Sequence, residues 1–184
     1  MKKTLLTLLV LGMTTLLFGQ EVKISVSPTI IHANRTKSVS QFEYVPFGVN
    51  SGIDYLFALK THWQLGFGIG YQYNKIHMAK TAELRTDFSS RTDKVSLLSI
   101  SLKSVYNFGK DFYLSLDPTF NFQVNYTSQQ YLDNQTGLGL IVGVGKDFEI
   151  KKALYLSVEP RFWIEKSMTV AGLNLGLVFG HKHD

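Results

Sequence analysis

Residues Phe112 to Tyr126 read FYLSLDPTFNFQVNY. Taken in steps of two, one set is Phe112, Leu114, Leu116, Pro118, Phe120, Phe122, Val124 and Tyr126, without a charge or a side-chain amide. The other set is Tyr113, Ser115, Asp117, Thr119, Asn121, Gln123 and Asn125, almost entirely polar. Successive side chains of a β-strand point to opposite faces, so this ribbon is apolar on one side and polar on the other. It is also far longer than the five or six residues usual for a soluble strand. A tilted strand of about ten residues spans a bilayer. The stretch therefore predicts a strand built to cross a membrane.

The same alternation recurs along the chain. Eight segments carry it, near 22–33, 42–59, 63–78, 94–108, 112–127, 137–147, 153–166 and 169–180. In the third, Trp63, Leu65, Phe67, Ile69, Tyr71 and Tyr73 oppose Gln64, Gly66, Gly68, Gly70, Gln72 and Asn74. In the seventh, Leu154, Leu156, Val158, Pro160, Phe162 and Ile164 oppose Tyr155, Ser157, Glu159, Arg161, Trp163 and Glu165. The connections after the second, fourth and sixth segments are short, at 60–62, 109–111 and 148–152, whereas 34–41 and 79–93 are longer and polar. An even strand number with alternating short turns and long loops predicts an all-β, eight-stranded antiparallel up-and-down transmembrane barrel.

A repeat runs through it: ISVSPTI at 24–30, LSLDPTF at 114–120 and LSVEPRF at 156–162. Proline inside a paired strand removes a ladder hydrogen bond, so each proline is expected to mark a bulge or bend.

The beginning, MKKTLLTLLVLGMTTLLFGQ, has a basic start at Lys2 and Lys3, an apolar run from Thr4 to Phe18 and a small residue at Gly19. That is the pattern of a secretory signal peptide, and the apolar run is too short for a spanning helix. The expected division is a signal peptide over 1–19 and a barrel domain over 20–184. Without the two leading lysines, 17 basic residues face 14 acidic ones, too mild and dispersed a balance for nucleic-acid binding. There is no cysteine, hence no disulfide framework and no thiolate metal site.

An exported lipocalin-like barrel would have the same size and strand number, with its apolar face inward and a charge-rich face in water. Here the polar faces are mostly Gly, Ser, Asn, Gln and Thr. Such faces suit a cramped lumen, and the apolar faces, with aromatics towards their ends, suit lipid.

With its signal sequence, eight alternating strands and a last strand ending in Phe179, residues 20–184 resemble the small outer-membrane β-barrel domain family. That family includes the outer membrane protein X type and the transmembrane half of outer membrane protein A. The resemblance implies a monomer in the outer membrane of a Gram-negative bacterium with both termini periplasmic. Its partners would be lipopolysaccharide and phospholipid, and the barrel assembly machinery, which reads a terminal aromatic. This chain departs there, because Gly180-His181-Lys182-His183-Asp184 follows Phe179.

The charges expected in the lumen are Lys23, Asp54, Lys103, Asp117, Glu159, Arg161 and Glu165. Buried charges must pair, and an eight-stranded barrel is just filled by its side chains. Glu159 and Arg161 are two apart on one face, and a three-residue turn at 109–111 sets Lys103 opposite Asp117. The expectation is a structural ionic network that plugs the lumen; a path for small solutes or protons is the alternative. The inward glycines Gly66, Gly68, Gly70, Gly137, Gly139, Gly143 and Gly145 are expected to make room for bulky neighbours, or else to line a cavity.

Some eight-stranded barrels modify outer-leaflet lipids, which takes a Ser activated by a His. His32, His62 and His77 are candidate bases, yet their parity is outward, and the inward Ser99 and Ser101 have no evident His partner. No catalytic, metal-binding or cofactor-binding residue is assigned; His181 and His183 alone are too few for a structural metal site. The expected role is non-catalytic: envelope integrity, or surface binding through loops 34–41 and 79–93. The alternatives are acyl transfer or deacylation, a narrow channel, or a secretion-system accessory barrel.

Overall fold

The computed structural model describes residues 20–33, 42–80, 90–109, 111–126, 135–165 and 168–180. Its strands are β1 (Gln20–Ala33), β2 (Phe42–Lys60), β3 (Trp63–Lys80), β4 (Ser90–Asn107), β5 (Phe112–Tyr126), β6 (Gly137–Lys151), β7 (Leu154–Ile164) and β8 (Met168–Gly180). Each pairs antiparallel with its chain neighbour, and β1 pairs with β8, so the sheet closes on itself. Closure leaves no edge strand, the condition for placing sheet in hydrocarbon. The signal-peptide expectation falls outside the described residues, as do loop 34–41, most of loop 79–93, and His181 and His183.

Register explains the barrel's girth. From Glu21 the facing residues run through Leu56, Gly66, Lys103, Asp117, Ile141, Trp163 and Val170, and return to β1 at Ile31. A stagger of ten residues per circuit tilts eight strands by roughly 40° and leaves an interior that side chains can fill.

The alternation decides the two faces. Ile24, Ile53, Phe67, Ile69, Ile100, Leu102, Leu116 and Phe162 point out and are about half exposed or more. Lys23, Ser25, Ser27, Thr29, Asp117, Ser157, Glu159 and Asn174 point in and are buried. This is the reverse of a water-soluble barrel, which hides its large apolar side chains. At the end where β2–β3, β4–β5 and β6–β7 turn, aromatics form a girdle. Trp63 packs on Tyr106 with centroids 4.9 Å apart, and Phe108 on Phe112 at 6.2 Å. Lys146 lies over the rings of Phe112 and Phe148 at 4.9 and 5.0 Å, its stem along the apolar belt and its charge at the rim.

Two expectations require correction. The prolines do not make bulges. Pairing of β4 with β5 stops at Ser101–Thr119 and resumes at Val105–Ser115 with the register unchanged, around Pro118. The same interruption without slippage surrounds Pro28 between β1 and β8, and Pro160 between β6 and β7. Proline withholds one donor, and the barrel tolerates a local gap rather than inserting a residue. The bulges lie elsewhere, at Ala58–Lys60, Ser96–Leu97 and Glu149–Lys151. The second correction concerns β6, which continues to Lys151. Its turn is Lys152–Ala153, where Ala153 adopts a positive φ of 62°. In the turn at 109–111, Gly109 has φ +90°, a conformation that glycine adopts without steric cost.

Candidate functional site

Six of the seven charges read from the sequence meet in the lumen. Glu159, on β7, is fully buried. Its Oε2 accepts from Lys23 Nζ and Arg161 Nη2, both at 2.7 Å, and from Tyr113 Oη at 2.9 Å, with Asn174 Nδ2 at 3.4 Å. Its Oε1 accepts from Ser115 Oγ at 2.6 Å. Arg161 Nη2 also lies 3.8 Å from Asp54 Oδ2, and Asp54 Oδ1 is 3.1 Å from Lys103 Nζ. Lys103 then donates to Asp117 Oδ2 at 2.8 Å. The chain Lys23–Glu159–Arg161–Asp54–Lys103–Asp117 alternates in sign and balances three cations against three carboxylates. Strands β1, β2, β4, β5 and β7 each contribute, so the network crosses the lumen.

Local structure makes this possible. Glu159 and Arg161 flank Pro160, whose ring faces out, so both charges share the inner face. The ladder gap at Pro118 frees the Ser104 N–H, which reaches Asp117 Oδ1 at 3.4 Å. Glycines on β6 supply the space. A Cβ at Gly143 would collide with Glu159 Oε1, and one at Gly145 with the ring of Tyr113.

The seventh charge, Glu165, is not part of this network. It follows the end of β7, its backbone N–H bonded to the Met168 carbonyl at 2.9 Å. It is 7 % exposed, and its Oε2 has no partner among the described residues. Burial pushes its carboxyl up to about 7.

The sequence reading missed two further parts of the lumen. Tyr113 is one: buried, it donates to Glu159, receives the Lys23 ammonium at 2.8 Å and sits 2.6 Å from Ser157 Oγ. Its parity with Ser115 and Asp117 marked it as inward, but an aromatic beginning a membrane strand reads as girdle. The other is an apolar layer at the loop end, where Ile31, Val95, Leu97, Ile141, Trp163, Met168 and Val170 pack together inside the barrel. Counting by twos from Lys23 reaches Ile31, so parity carried this signal as well. A smaller cluster of Leu56, Val105 and Tyr113 stands at the turn end. Apolar clusters thus lie on both sides of the ionic network, each beside buried polar side chains: Gln72, Asn74 and Asn121 towards the loop end, and Glu21, Gln64 and Asp147 towards the turn end. A cavity of about 20 Å³ lies among Lys23, Asp54, Lys103, Tyr113 and Glu159, room for about one water.

Of the residues weighed for catalysis, Ser99 donates to the Gly70 carbonyl at 3.3 Å. His62 lies at the turn end against Tyr106, with centroids 6.2 Å apart. His32 and His77 have side chains outside the described set. Among the described residues no group of His, Cys, Asp and Glu is arranged to hold a metal.

Solved structures of outer-membrane barrels share this architecture. The outer membrane protein OprG from Pseudomonas aeruginosa matches with a TM-score of 0.55 at 9% identity, covering 89% of this chain and 97% of that one. Neisserial surface protein A matches with a TM-score of 0.52 at 17% identity, with coverages of 89% and 97%. No protein-family model and no curated protein matches by sequence. The closed sheet and its outward apolar belt define the class, a small eight-stranded transmembrane β-barrel, and this fold is shared with those outer-membrane proteins. At such identities the likeness reaches the fold and no further.

Proposed function

We propose that this barrel is a closed, non-catalytic component of the outer membrane. It maintains the envelope or binds at the surface through loops 34–41 and 79–93. In this reading residues 1–19 are removed on export, both termini face the periplasm, the barrel assembly machinery inserts the chain, and it stands in the membrane as a monomer. The observation that carries the closed lumen is the packing across it: Glu159 with five donors, capped by the apolar layer from Ile31 to Val170. An ion following this path would break charge-assisted bonds in the middle layer and then pass the packed cluster from Ile31 to Val170. Planar-bilayer recordings of the purified barrel test the proposal. The expectation is an electrically silent membrane, and large steady currents would overturn it.

A further inference from the structure

At the loop-end rim, Lys75 on β3 and Lys94 on β4 are cross-strand partners. Both point outward and both are exposed. Directly opposed like charges destabilise a sheet, and neither ammonium has an ion-pair partner among the described residues. Among the described side chains, no other charge faces outward at this rim. Immediately below lies the apolar belt. Phe47 is the register partner of Lys75 on β2, and Tyr71 and Leu98 pair beneath Lys94. Phe47, Tyr71 and Leu98 are 54, 45 and 38 % exposed. The Tyr71 hydroxyl donates to Ser96 Oγ at 3.0 Å, tying that side chain to β4. Tyr73, paired with Ser96, stands one step below Lys75 on the same face.

We propose that Lys75 and Lys94 form a binding site for the phosphate of an anionic lipid headgroup, with the acyl chains lying on Phe47, Tyr71 and Leu98. A phosphate between the two ammonium groups replaces their repulsion with two charge-assisted hydrogen bonds. The apolar floor selects a lipid over a free anion, because only a lipid also covers that surface. The opposite rim differs: there Lys146 is already engaged by Phe112 and Phe148. The inference rests on the membrane placement of the belt and not on the closed lumen.

The test is native mass spectrometry of the full barrel released from detergent containing phosphatidylglycerol. The wild type is expected to keep a one-lipid adduct, and Lys75→Gln with Lys94→Gln to lower its fraction roughly tenfold or more. Lys151→Gln with Lys152→Gln, at the turn end, is the control and is expected to leave it unchanged. Excess inorganic phosphate is expected not to displace the lipid. An adduct that survives in the Lys75/Lys94 variant, or falls equally in the control, overturns the site. Displacement by inorganic phosphate overturns the lipid as its occupant. Insertion into vesicles and heat-modifiable gel migration of each variant report the membrane placement separately, so a barrel that does not insert is distinguishable from one that inserts without the lipid.

Discussion

Tyr113 Oη lies 2.9 Å from Glu159 Oε2, joining the first inward residues of β5 to the middle of β7 across the lumen. The Lys23 ammonium bridges the same two groups at 2.8 and 2.7 Å. Glu159 is thereby the acceptor around which the middle layer is arranged. Glu159→Gln keeps the volume but leaves Lys23 and Arg161 facing each other without their shared anion. Loss of one member of a buried ion pair costs about 3–5 kcal/mol. A fall of that size in urea unfolding, followed by Trp163 fluorescence, is the expected result; no change would mean that the network contributes nothing to stability.

Asp117→Ala removes a different member. Lys103 retains Asp54 at 3.1 Å, so the loss is smaller, about 2 kcal/mol. The apolar layer at the loop end does not depend on this pair. The variant is therefore expected to unfold at lower urea yet stay closed in planar bilayers. Steady conductance from it would show that the ion pairs alone seal the lumen.

Gly145 and Tyr113 are register partners, and a Cβ at 145 would overlap the Tyr113 ring. Gly145→Ala is expected to destabilise by about 1–3 kcal/mol through overpacking. In a Tyr113→Leu background the same change should cost less, because the ring is gone. A coupling of about 0.5 kcal/mol or more in the double-mutant cycle checks this.

Glu165 has a folded-state pKa raised to about 7 by burial. A raised carboxyl favours the protonated form in the folded barrel. Its relative contribution is full below the unfolded value near 4.5 and is lost as pH climbs through 7. At about 1.4 kcal/mol per pH unit, stability should fall by roughly 3 kcal/mol between pH 4.5 and 8 from this group alone. Glu165→Gln should flatten that slope and stabilise the barrel at pH 8 but not at pH 4.5. Unfolding midpoints measured at the two pH values decide it.

The strand pattern was legible because a bilayer imposes it. Hydrocarbon demands an unbroken apolar face, and the period of two then makes every second residue inward. Eight strands, their order and their approximate ends follow from that constraint on the chain. The choice of membrane over solvent could be read from the scarcity of charge on the polar faces. The pairs Glu159–Arg161 and Lys103–Asp117 were also within reach, since the first depends on parity alone and the second on one short turn.

The remainder depends on closure. The ten-residue stagger brings Lys23 beside Glu159 and Arg161 beside Asp54, contacts between strands distant in the chain that no local spacing encodes. It also separates Glu165 from the charges it resembles and places it by Met168, where burial alone sets its ionisation. The apolar layer of Ile31, Leu97, Trp163 and Val170 forms for the same reason: scattered inward residues reach one level only when tilted strands wrap into a cylinder. By itself the sequence determined a two-faced sheet and the medium each face would meet, because those depend on alternation along a single strand. Which inward side chains meet, and so where the barrel gathers its ion pairs and where its apolar clusters, was decided by the tertiary structure, because stagger is a property of the closed sheet.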